Sequence, residues 1–255
     1  MAQLLEVESL SLSFGGITAL SDVSTIVQEG SITAVIGPNG AGKTSFFNVI
    51  SGFYRPTSGT VRFDGCDILA LPANARSQRG IARTFQNIAL FNGMTVLENI
   101  KLGAHAQLRT NVFSASLYLG WARREEEDLT RRIDDEVISF LDLTAIRDRS
   151  IEGLPYGLQK RVELARALAM RPRLLMVDEP FAGMNNSEKA AMAQYIRRSV
   201  REWGATVLLI DHDMEMIMGL SDQVVVLNFG RMIATGNPDA VRKDPAVIDA
   251  YLGTE

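Results

Sequence analysis

The spacing of apolar and polar residues changes several times along this chain, and each change predicts an element. Leu5 to Phe14 alternates in part, Ile17 to Val27 follows, and Thr60 to Phe63 leads into Asp64-Gly65, so the first third reads as strands and turns. Ile32–Ile36, Leu174–Val177 and Thr206–Ile210 are instead short, mostly apolar runs, as expected of parallel strands buried on both faces. Helical spacing fills Ser187 to Trp203, between the last two runs. After Arg83-Thr84-Phe85-Gln86 the chain turns mainly helical as far as about Leu143, with a looser stretch near Thr110 to Leu119. That region opens on Thr95-Val96-Leu97-Glu98, a capping box in which the Thr95 hydroxyl and Glu98 carboxylate satisfy the first N–H groups of a helix. The pattern predicts an α/β fold with a mostly parallel, doubly wound sheet, interrupted by a helical insertion.

With 255 residues, 46% of them hydrophobic, the chain is long enough for one large domain with a subdomain. Its net charge of −4 gives no electrostatic case for nucleic acid as the main partner, because such binding neutralises phosphates with clustered Lys and Arg. Cys66 is the single cysteine, which excludes an intrachain disulfide and fits a reducing compartment. Beside the Asp64-Gly65 turn it reads as a small residue rather than a reactive thiol. The start, Met1-Ala2-Gln3-Leu4-Leu5-Glu6, lacks the basic and apolar regions of a signal peptide, and no segment reaches about 18 uninterrupted apolar residues. The expectation is a soluble chain that meets a membrane only through a partner protein.

Candidate chemistry begins where the run Ile32–Ile36 ends, at Gly37-Pro38-Asn39-Gly40-Ala41-Gly42-Lys43-Thr44. The spacing is that of a phosphate-binding loop, G-x-x-x-x-G-K-[ST]. Its glycines let backbone N–H groups approach phosphate oxygens, Lys43 brings a positive charge to the β and γ phosphates, and Thr44 offers a hydroxyl to Mg²⁺. Ser45 begins a helix whose N-terminal dipole adds to the anion site. An unrelated Gly-rich turn is the bland alternative, and the strand before and helix after argue against it. A second feature, Asp178-Glu179-Pro180, stands at the end of an apolar strand, where open parallel sheets bind ligands. There Asp178 can hold Mg²⁺ through its water shell, and Glu179 can orient or deprotonate the water that attacks the γ phosphate.

On these residues the chain resembles, over essentially its full length, the nucleotide-binding subunit of an ATP-binding cassette (ABC) transporter. The resemblance implies a P-loop NTPase (RecA-like) core with a mostly parallel sheet, an N-terminal antiparallel β subdomain and an inserted α-helical subdomain. It implies one domain over 1–255, with 1–86 and 160–255 as the nucleotide-binding core and 87–159 as the helical subdomain. Gln86 matches the glutamine implied to contact Mg²⁺ or the attacking water and to sense the membrane partner. His212, in Leu209-Ile210-Asp211-His212-Asp213, matches the histidine implied to contact the γ phosphate, and Phe14 the aromatic that stacks on adenine.

The family's signature, usually L-S-G-G-Q, stands here as Leu154-Pro155-Tyr156-Gly157-Leu158. In the family this loop caps the nucleotide of the opposite subunit. Pro155 has neither hydroxyl nor N–H, which leaves the Tyr156 and Gly157 backbone and the helix dipole as contacts. The later turn Ala182-Gly183-Met184-Asn185 departs from the usual S-A-L-D. Both departures resemble the larger ATPase subunit of branched-chain amino acid importers, as do the helical insert between about Gly103 and Arg132 and the ending through Ala250-Tyr251-Leu252-Gly253. The resemblance implies ATP and Mg²⁺ as cofactors and a second cassette ATPase, identical or paralogous, as partner. It also implies two transmembrane permease subunits, an external substrate-binding protein and a cytoplasmic place at the inner face of the membrane. Lipopolysaccharide or other lipid export, and a soluble cassette ATPase acting on nucleic acid or the ribosome, are the competing readings. A single cassette without sustained heptads weighs against the soluble class, and the Gly157 loop before the Asp178 strand weighs against a P-loop kinase or GTPase.

Other features read as structural. Arg123, Glu127 and Arg131 fall four residues apart, as on a solvated helix face, and Met214, Met216 and Met218 read as core filling. His105 has no partner at metal-ligand spacing, so no metal beyond the nucleotide's Mg²⁺ is expected.

Overall fold

The computed structural model describes residues 2–86, 88–104 and 120–252. Two sheets share the core. In the antiparallel one, β1 (Gln3–Phe14) lies between β2 (Ile17–Gln28) and β4 (Ser58–Phe63), and β5 (Cys66–Asp67) closes the far edge. Alternation in β1 and β2 was only partial in the sequence because their pairing slips its register, with Ser9 and Asp22 in left-handed backbone (φ 47 and 53). The second sheet has the order β10 (Arg231–Gly236), β9 (Gln223–Asn228), β3 (Ile32–Ile36), β8 (Thr206–Ile210), β7 (Leu174–Asp178), β6 (Ile81–Arg83). Its neighbours pair in parallel except β9 and β10.

The mostly apolar runs are explained by what covers them. Along β3, β7 and β8, Ala34, Leu175 and Val207 face a core built with the helices Val96–Ala104, Tyr156–Leu168 and Asn186–Trp203. The alternate residues Val35, Met176 and Leu208 face a second core made with the helix Lys43–Ser51 and the antiparallel sheet. Each strand is therefore apolar at nearly every position.

The helical insertion begins as its capping box predicts: Thr95 N–H donates to Glu98 Oε2 (2.7 Å) and Glu98 N–H to Thr95 Oγ1 (3.2 Å). A later helix, Gly120–Arg132, runs on into a wider π-helical turn, Ile133–Ile138. On it Arg123 pairs with Glu127 as expected, whereas Arg131 pairs with Asp128 instead. Met214, Met216 and Met218 pack half-buried against the core. The looser stretch expected near Thr110 to Leu119, and His105, lie outside the described residues. Among the described residues no helix is long and apolar enough to cross a membrane.

Candidate functional site

β3 delivers the backbone to Gly37, whose φ of +150° and packing both demand glycine: a Cβ there would stand 2.0 Å from the Leu227 carbonyl oxygen of β9. The turn that follows is closed by Ala41 N–H on the Pro38 carbonyl (3.1 Å) and pinned from outside by Gly230 N–H on the Ala41 carbonyl (3.1 Å). Asn39 and Gly40 cross its tip, and Gly42 begins the helix without any side-chain cap, so the first-turn N–H groups of Thr44 and Ser45 are oriented for an anion. Lys43 curls inside the loop, its Nζ donating to the carbonyls of Gly37 (2.7 Å) and Pro38 (3.0 Å). Burial lowers its pKa from the usual lysine value, and the nearby carboxylates of Glu179 and Asp178 oppose that shift.

Those carboxylates end β7, one strand removed from β3. Asp178 is held by a residue that sequence reasoning did not single out. The Arg83 guanidinium, at the end of β6, donates to Asp178 Oδ2 at 3.0 Å, and both side chains are nearly buried, 8% and 4% exposed. Arg83 also donates to Asn48 Oδ1 (2.7 Å) and Ser51 Oγ (2.8 Å) and lies over the rings of Phe47, Phe53 and Phe85. The bonds fix the guanidinium to the phosphate-loop helix on one side and to Asp178 on the other.

Glu179 follows in left-handed backbone, φ 48, a conformation unfavourable for any residue with a Cβ. It turns the chain off the sheet end while Glu179 N–H still bonds the Ile210 carbonyl (2.8 Å). Gln86 Nε2 donates to Glu179 Oε2 at 3.1 Å, so two predicted site residues meet directly. His212 does not join them: its ring is 68% exposed, with Nδ1 3.8 Å from Asp211 Oδ1. Asp211 itself, buried, accepts from the N–H groups of Phe181, His212 and Asp213 and so knots the loop after β7 to the loop after β8.

A family model described as "ABC transporter" matches residues 20–182. The chain belongs to the ATP-binding cassette transporter family. It is an ATPase of that family, and ATP is its nucleotide. A second family model, "Branched-chain amino acid ATP-binding cassette transporter", matches the cassette's residues 231–255. The cassette is 43% identical to the high-affinity branched-chain amino acid transport ATP-binding protein BraF of Pseudomonas aeruginosa, over 98% of each chain. It is 39% identical to the corresponding protein LivG of Escherichia coli, again over 98% of each. Among solved structures, the ADP conformation of an ATP-binding cassette of an ABC transporter superposes with a TM-score of 0.86 at 32% identity, covering 99% of this chain and 100% of that one.

The cassette's signature loop starts the helix Tyr156–Leu168, with the Pro155 carbonyl accepting from Leu158 and Gln159 N–H (3.0 and 3.1 Å). Tyr156 lies against Gly183, and the Glu188 carboxylate covers Gly157 so closely that a Cβ there would sit 2.5 Å from Glu188 Oε1. Glu188 belongs to the capping box with Asn185 that starts the next helix. Burial pushes the Tyr156 phenol pKa up, with the charges of Glu163 and Glu179 adding to the shift. Phe14 stands apart, 46% exposed and edge-to-face with Tyr54 (5.0 Å), a neighbour the sequence did not reveal.

Proposed function

We propose that this chain is the ATP-hydrolysing subunit of an importer for branched-chain or other hydrophobic amino acids. The observation that supports it is the near end-to-end likeness to BraF, a branched-chain amino acid transport ATP-binding protein. Two copies, or this chain and a paralogue, would sandwich two ATP molecules, each phosphate loop facing the partner's Tyr156-Gly157 loop. Two permease subunits and an external substrate-binding protein complete the assembly. The core comprises 1–86 and 160–255 and the helical subdomain 87–159, with the signature helix continuous across that boundary.

The residues suit the nucleotide and its Mg²⁺. Gly37 has no room for a Cβ, the Lys43 ammonium sits inside the turn on the Gly37 and Pro38 carbonyls, and Thr44, Gln86 and Asp178 offer the hard oxygen donors that Mg²⁺ takes. When bound, Mg²⁺ neutralises charge on the β and γ phosphates. Lys43 leaves its loop carbonyls for those same phosphates, and the backbone at Gly37 to Ser45 cradles them. Glu179 positions the attacking water, and Gln86 holds the Glu179 carboxylate in place. His212 reaches the γ phosphate, and Phe14 stacks on the base. The γ phosphate bridges both chains, so its loss reopens the dimer and passes motion to the permeases.

The test is to capture the chain from gently solubilised native membranes and identify what accompanies it. The expected result is two multi-spanning subunits, a second cassette ATPase and an amino-acid-binding protein. Ribosomal or DNA-associated proteins without a membrane subunit would overturn the transport reading and leave the ATPase chemistry standing.

A further inference from the structure

Three charged residues of the signature helix, Lys160, Glu163 and Arg166, recur every third position and therefore share one face. All three grip the backbone of the Gln86 loop. Glu163 Oε1 accepts from Phe85 N–H (3.0 Å), Lys160 Nζ donates to the carbonyls of Gln86 (3.0 Å) and Phe85 (3.4 Å), and the Arg166 guanidinium donates to the Ala89 carbonyl. Lys160 and Glu163 are also an ion pair at 3.7 Å, exposed by only 3% and 1%. Burying such a pair costs several kcal/mol of desolvation, and an apolar pair would fill the space at least as stably. What an apolar pair could not do is bond the Phe85 N–H and the Phe85 and Gln86 carbonyls and so fix the backbone of the loop.

We infer that Lys160 and Glu163 are positioning residues for ATP hydrolysis: they fix the Gln86 backbone, and Gln86 fixes the Glu179 carboxylate. The chain of contacts is continuous, from Lys160 Nζ to the Gln86 carbonyl and from Gln86 Nε2 to Glu179 Oε2 at 3.1 Å. Lys160 stands one turn after Tyr156 on the same rigid helix, and its ammonium lies 6.0 Å from the Tyr156 ring centroid. A nucleotide seated on this chain's signature loop by the partner subunit therefore acts, through that helix, on this chain's own Glu179. The clamp links one ATP site to the other. The inference rests on the reading of Glu179 as the group that positions water.

The experiment uses the full chain in three variants: Lys160→Met, Lys160→Met with Glu163→Leu, and Glu179→Gln as the reference. The double variant removes the buried Lys160–Glu163 pair from both sides, which costs less than breaking it from one side, so it keeps the test open where the single variant unfolds. Turnover is followed against ATP concentration, and ATP affinity is titrated separately in EDTA. The expected result is that kcat falls by about tenfold or more and the Hill coefficient drops towards one, with ATP affinity held within about twofold. A folded double variant with near-native kcat and Hill coefficient would overturn the inference, as would a loss of kcat matched by an equal loss of ATP affinity. Normal turnover by Glu179→Gln would instead remove the reading beneath it, whatever Lys160→Met does.

Discussion

The ring of Tyr156 packs on the backbone of Gly183 so tightly that a Cβ on Gly183 would stand 3.0 Å from Tyr156 Cε1. Gly183 also has left-handed backbone, φ 71. The two places where this chain departs from the usual cassette pattern, the signature loop and the turn after β7, are thus one contact. Gly183→Ala should destabilise the protein by roughly 1–2 kcal/mol through its backbone alone. In a urea-unfolding double-mutant cycle with Tyr156→Gly, the part due to the ring should appear as a coupling of at least about 0.5 kcal/mol. Strict additivity would mean that the two residues do not constrain each other.

Glu179→Gln keeps the size of the side chain and its bond to Gln86 but loses the carboxylate that orients or accepts a proton from water. It should bind ATP, hydrolyse it very slowly and accumulate as a closed dimer on size exclusion. Normal turnover would remove Glu179 from the mechanism.

Lys43→Ala should weaken nucleotide binding itself, since the ammonium is the one side-chain charge curled inside the Gly37–Thr44 loop. Unchanged ATP affinity in a binding titration would count against that role.

Arg83→Met retains apolar contact with the three phenylalanine rings but leaves Asp178 buried without its guanidinium. The expected loss of unfolding free energy is about 3–5 kcal/mol, the usual penalty for breaking a buried pair from one side. Adding Asp178→Asn should restore part of it. If the single variant melts like the native protein, the pair contributes little to the fold.

Burial raises the Glu163 carboxyl above its ordinary 4.5, and the Phe85 N–H and Lys160 only partly offset it. A raised carboxyl pKa means that the folded state holds the proton more tightly than the unfolded one. Its stabilising effect is full below pH 4.5 and is lost as pH climbs through the folded-state value. Glu163→Gln cannot titrate, so its stability relative to the native protein should improve as pH rises from about 4.5 to 7.5. Unfolding curves across that range give the sign, and a flat or falling difference would show that the hydrogen-bonded partners outweigh burial.

The sequence was most readable where one local requirement acts alone. The runs of β3, β7 and β8 announce strands because both faces are covered, and the phosphate loop announces itself because its glycines cannot be replaced. The clamp and the Arg83 pair stayed hidden for the opposite reason. Arg83 and Asp178 lie 95 residues apart, and Phe85 and Glu163 lie 78 apart. Nothing near either charge marks it as buried, apart from Glu163 falling between the apolar residues Val162 and Leu164. Asp211 passed unremarked beside His212, although its three accepted N–H bonds do more to shape the site than the exposed histidine ring does.

The strand order has a consequence for how this protein is made. β3, which carries the phosphate loop, pairs only with β8 and β9, which begin at Thr206 and Gln223. A ribosome adding about 5–20 residues per second needs on the order of ten seconds or more to get from Ile36 to those partners. Throughout that interval a five-residue apolar strand with both edges unpaired waits on the nascent chain, open to wrong partners. ATP cannot stabilise its own loop before then, because the sheet that supports the loop closes only once β8 and β9 have been made.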